Sequence, residues 1–97
     1  MSWLVHHTRS EEYANHAAEH LRRNELPNAV ELYQLAAEAE ARALDSLAPD
    51  KMRTFGITAI SAVSLYYKAQ EYKTAKRLAY KCLAADILPL FAANELE

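Results

Sequence analysis

The chain has 97 residues, with one cysteine, one glycine, three prolines, 25% charged side chains and a formal net charge of −2 at pH 7. That length allows one domain with a modest core, the shortage of glycine and proline leaves little turn chemistry, and the weakly negative balance argues against general nucleic-acid binding. A lone thiol cannot close an internal disulfide and fits a reducing, cytoplasmic setting, while no run of about 18 apolar residues offers a membrane span.

In chain order the pattern predicts an all-α protein. Thr8 followed by Glu11 reads as a capping box, with Trp3, Leu4 and Val5 upstream to staple the entry, so a first helix is expected from about Thr8 to Asn24. Its apolar stripe is thin. Pro27 suits the opening of a second helix, where its missing N–H costs nothing, and Ala29, Leu32, Tyr33, Ala36, Ala39, Ala43, Leu44 and Leu47 follow at helical spacing. Pro49 stops that helix, because the residue before a proline avoids helical geometry, and Pro49 or Asp50 opens a third that runs to about Ala69. The third carries Met52, Phe55, Ala59, Ala62, Val63 and Tyr66, with Ile57, Ile60 and Tyr67 widening the apolar arc, so it should be touched on two sides. A fourth, from about Glu71 to Ala85, is expected to bury Tyr72, Ala75, Leu78, Ala79 and Cys82 and to show Lys73, Lys76, Arg77 and Lys81 to solvent. Pro89 opens a short fifth helix with Leu90 and Phe91.

Two features cross these boundaries. Residues 1–50 carry four basic and nine acidic side chains (net −5), and residues 51–97 carry seven basic and four acidic (net +3), a split that suits either head-to-tail association or two solvated faces. Asn24–Ala39 and Gln70–Ala85 also align at an offset of 46, pairing Leu26 with Tyr72, Ala29 with Ala75, Leu32 with Leu78, Ala36 with Cys82 and Ala39 with Ala85. Each segment puts a bulky residue just before a helix and a small one three positions on, where helices must approach closely.

The run from Asn24 to Ala36, with Ala29, Tyr33 and Ala36 on small, aromatic and small positions, resembles the turn and second helix of a tetratricopeptide repeat. Tyr13, His16, Ala17 and His20 then fall on first-helix packing positions, and a second copy runs over Ala59, Ala62, Val63, Tyr66, Tyr72, Ala75 and Cys82. There are departures: the glycine before the turn is Asn24 or Gln70, the second copy's second aromatic is Ala79, and the 46-residue period exceeds the family's usual value of about 34. The first two helices are also similar to the microtubule-interacting-and-trafficking domain, whose third helix does not begin a second turn. The resemblance implies one domain over residues 1–97: antiparallel hairpins, with repeat 1 at about 8–47, repeat 2 at about 50–85 and a capping helix at about 88–96.

The stretch HAAEH, His16 to His20, matches the zinc signature H-x-x-E-H, and one helical turn between the histidines is a spacing that can hold the metal, with Glu19 as base and Glu95 as third ligand. A peptidase of that class needs a larger α/β fold, for which no strand pattern exists here. The competing reading makes His20 a core ring in place of tyrosine, with Glu12 or Glu19 in reach. Gly56 alone cannot build a phosphate loop and reads as a close helix crossing. Cys82 reads as an inert core thiol.

The expected function is therefore a non-enzymatic interaction module without a cofactor, taking a protein or peptide partner and neither nucleic acid nor membrane. By the resemblance, its groove lies between the first and third helices and is lined by Glu11, Asn15, Ala18, Arg22, Ile57, Ile60, Ser64, Tyr67 and Lys68. Arg22 and Lys68 are equivalent under the 46-residue shift and suit a ligand carboxylate. The alternative is a structural domain that associates with itself as a homodimer or in a larger assembly; a hydrolase using His16 and His20 is a third reading.

Overall fold

The computed structural model describes residues 2–48, 50–84 and 95–96. The protein is all-α: α1 (Trp3–Arg22), α2 (Leu26–Asp45), α3 (Met52–Lys68) and α4 (Tyr72–Ala84), with no strand among the described residues. Chain neighbours are space neighbours, α1 on α2, α2 on α3 and α3 on α4. Short connections force that order, since a three-residue turn can only fold one helix back along the last. The arrangement is two antiparallel hairpins side by side, with α3 touched on both flanks as its wide apolar arc requires.

The two hairpin turns are built alike. In the first, the Glu25 amide donates to the His20 carbonyl at 2.9 Å and the Asn24 amide to Leu21 at 3.0 Å. In the second, Glu71 donates to Tyr66 at 2.9 Å and Gln70 to Tyr67 at 3.0 Å. These pairs satisfy the last carbonyls of each helix and require a left-handed residue at the corner, which is Asn24 at φ 60° and Gln70 at φ 62°. The next helix then opens identically, Ala29 donating to Glu25 at 3.1 Å and Ala75 to Glu71 at 3.0 Å. The 46-residue offset of the sequence is thus an offset of backbone geometry at both corners.

Small residues set the helix spacing. Ala17 of α1 and Ala29, Ala36 and Ala37 of α2 are fully buried, and they join Tyr33, Leu65 and Ala69 in one core cluster near the turns. At the opposite end Leu44, Ala59 and Cys82 form a second cluster, covered by Leu47, Phe55, Leu78 and Leu96. The α1–α2 approach is close enough for the buried Ser10 hydroxyl to donate across it to the Ala36 carbonyl at 2.8 Å. Gly56 is buried in α3 without a positive φ, so what its missing Cβ provides there is room.

Three expectations are corrected. α1 begins at Trp3, not Thr8: Ser2 is the N-cap, its hydroxyl accepting from the Val5 amide at 3.4 Å, and Thr8 is an exposed mid-helix residue rather than a cap. The cause is tertiary, because Trp3 finds a partner 55 residues away. Tyr72, expected in the core, is 53% exposed, since α4 has no helix beyond it among the described residues to cover that side. His20 is partly exposed and holds Glu25, not Glu12 or Glu19. The stop assigned to Pro49 and the opening of the fifth helix at Pro89, with Leu90 and Phe91, lie outside the described residues; Glu95 and Leu96 are helical.

Candidate functional site

An open trough of about 460 Å³ runs between α3 and α4. Its lining is Val63 from α3, Ala75, Ala79 and Leu83 from successive turns of α4, and Leu96 from the C-terminal helical residues. Tyr67, Tyr72 and Tyr80 stand on the rim, 62%, 53% and 62% exposed, and Tyr67 meets Tyr72 edge to face with ring centroids 4.8 Å apart. Alanines one turn apart on α4 make the floor low; tyrosines placed to either side make the walls. Exposed aromatics around an apolar concavity are the composition of surfaces that bind partners, because tyrosine supplies contact area and a hydrogen-bonding tip at little entropic cost.

The two helices that form the trough are themselves cationic. α3 and α4 carry Arg53, Lys68, Lys73, Lys76, Arg77 and Lys81 and no carboxylate. α1 and α2 carry Glu11, Glu12, Glu19, Glu31, Glu38, Glu40 and Asp45 against Arg9, Arg22 and Arg42. A field of one sign over a low-dielectric concavity attracts the opposite charge.

The residues expected to line a groove between the first and third helices are distributed as follows. On α1, Glu11, Asn15 and Arg22 are exposed and Ala18 is half-buried; on α3, Ile57, Ser64, Tyr67 and Lys68 are exposed and Ile60 is half-buried. No hydrogen bond or ion pair joins the two sets among the described residues. Tyr67 lines the trough toward α4, Lys68 places its Nζ 5.8 Å above the Tyr33 ring, and Glu11 is engaged by His7.

Sequence reasoning missed the polar corner where α1 begins. The Trp3 indole N–H donates to Thr58 Oγ1 of α3 at 3.0 Å, and its ring stacks on His7 at 4.5 Å. His7 Nδ1 lies 2.9 and 3.1 Å from the two oxygens of Glu40, a fully buried carboxylate on α2, and Nε2 lies 2.7 Å from Glu11. One ring thus faces two carboxyl groups, one on its own helix and one on α2, and ties the start of α1 to α2. No buried side-chain polar atom among the described residues lacks a partner. The available signal was Glu40 itself, a lone carboxylate among Ala36, Ala39 and Ala43 on the apolar stripe of α2.

The zinc pattern is not drawn together. His16 points to solvent, His20 turns Nδ1 to Glu25 Oε1 at 3.0 Å, Glu95 is exposed near the C-terminus, and the described residues hold no cluster of three or more His, Cys, Asp or Glu side chains suited to a metal. Burial pushes the Cys82 thiol above its ordinary pKa, which keeps it protonated and unreactive, with Lys81 a weaker opposing influence. Burial likewise raises the Tyr66 phenol, helped by the charges of Glu38 and Glu71.

Fold and site together define a small all-helical protein of two like-turned hairpins, with an apolar trough between α3 and α4 bordered by Lys76 and three tyrosines. No family model, no curated protein and no solved structure matches this chain. No helix among the described residues is long and apolar enough to cross a membrane.

Proposed function

We propose that the protein is a non-enzymatic interaction module, tetratricopeptide-like in its two duplicated hairpins, that docks a protein partner along its open edge. The observation that carries this reading is the trough between α3 and α4, with its three exposed tyrosines around an alanine floor. The likeness of the two corners, left-handed at Asn24 and Gln70, supports the repeat reading. A photocrosslinking residue placed at Tyr80 is expected to give a discrete protein adduct in cells that disappears when Tyr67 and Tyr72 are replaced by serine. Smearing or no adduct counts against the module.

The face between α1 and α3 stands as a separate proposal, with Arg22 and Lys68, both exposed, as its equivalent cations. Reversing both charges tests it: binding through that face weakens, and binding through the trough rim at Tyr72 and Tyr80 persists. Self-association is a second reading, favoured by the charge contrast between α1–α2 and α3–α4. Sedimentation showing a species heavier than 11.0 kDa at low salt that reverts to that mass at high salt supports it.

A further inference from the structure

The start of α1 is attached to the molecule differently from the rest of that helix. From Ser10 onward α1 is anchored in the core: the buried Ser10 hydroxyl donates to the Ala36 carbonyl, Ala17 is fully buried, and Tyr13 and Ala14 pack against the same cluster. Before Ser10 no residue of the helix is buried, and Leu4, Val5, Thr8 and Arg9 are exposed. Two hydrogen-bonded contacts tie residues 3–9 to other helices. The Trp3 indole N–H donates to Thr58 Oγ1 on α3 at 3.0 Å, and His7 Nδ1 lies 2.9 and 3.1 Å from the Glu40 oxygens on α2. The two ties are linked, because the Trp3 and His7 rings stack with centroids 4.5 Å apart and planes 11° apart, so each ring steadies the other. Both ties end on side chains only 1% exposed. All three buried polar side chains among the described residues, Ser10, Glu40 and Thr58, are thus engaged in holding α1.

We infer that residues 3–9 are a strap that opens and closes as one unit about Ser10 while the rest of the four-helix stack stays folded. Segments open locally where little apolar surface is buried, and this one buries no side chain completely. Its polar ties are exchangeable for water, which hydrates Thr58, Glu40 and both rings once they part, so opening leaves no buried group unpaired. The stack makes the release cooperative: with the indole gone from Thr58, His7 loses the ring that holds it toward Glu40, and the reverse. Ser10 is the pivot because its own bond to Ala36 is buried. Ordinary fraying, by contrast, loosens turns one after another from the terminus and takes no notice of residues on α2 and α3. None of these groups lines the trough between α3 and α4, so the strap stands apart from the docking role.

The test is native-state hydrogen exchange of the full chain, read amide by amide. Each helical amide bonds to the carbonyl four residues back, so the amides of residues 7–12 report the strap. They are expected to exchange through one common opening, at least about tenfold more frequent than the opening that exposes the core amides of α2. Thr58→Val and Glu40→Gln, changes made on other helices, should each raise that common opening at least about threefold for every one of these amides. Because the rings are stacked, the two changes together should raise it by less than the product of their separate factors. Should Glu40→Gln fail to fold, Thr58→Val still decides. Amides that exchange in graded order from the terminus, or that ignore both substitutions, overturn the inference. Factors that multiply also overturn it, since they make the ties independent. So does exchange of residues 7–12 only at the rate of the α2 core, which makes this corner part of the fixed stack.

Discussion

Glu40 is 1% exposed on a helix face otherwise made of alanine, leucine and tyrosine, and a carboxylate so enclosed is tolerable only while something answers its charge. His7 does so. His7→Ala is expected to cost about 2–3 kcal/mol in urea unfolding, since it leaves the buried charge alone, whereas the double change His7→Leu with Glu40→Leu costs less than the single one. Glu11→Ala, touching the same ring from an exposed side, costs under about 1 kcal/mol. A second residue-scale prediction concerns alkaline pH. The Cys82 thiol and Tyr66 phenol hold their protons more tightly folded than unfolded, so their contribution is complete below their ordinary values of 9.0 and 10.0 and is lost as pH rises through the raised folded values. Urea midpoints should therefore fall above pH 9, and Cys82→Ala with Tyr66→Phe should flatten the decline; a midpoint unaffected by these changes contradicts it. At the corners, a glutamine in left-handed geometry is strained by its Cβ, so Gln70→Gly should raise stability by up to about 1 kcal/mol, and Asn24→Gly by less, asparagine tolerating that region better.

At the scale of the element, α1 is held by its first turn. Trp3→Phe keeps the ring over His7 but removes the indole donor to Thr58, a loss of about 1 kcal/mol, with faster amide exchange confined to the N-terminal turns of α1 as the check. The same contact explains why the start of α1 was not legible. A capping box at Thr8 is local chemistry, and it was outweighed by a partner 55 residues distant that no local pattern encodes. α2, α3 and α4 were legible to within a few residues because their apolar stripes recur at helical spacing. The like corners at Asn24 and Gln70 fall where the 46-residue offset aligns the sequence. The trough was not, because Ala79 registered only as a missing aromatic and not as a low floor between Tyr72 and Tyr80.

The whole molecule is asymmetric in charge and in closure. Its acidic hairpin packs against α3, and its basic hairpin borders an apolar trough with three tyrosines and Leu96 on it. The measurement that bears most directly on the proposed docking role is photocrosslinking in cells from a probe residue at Tyr80, with Tyr67 and Tyr72 intact and then replaced by serine. The account predicts one discrete protein adduct that the serine replacements abolish. An adduct that survives both replacements, or no discrete adduct, contradicts it.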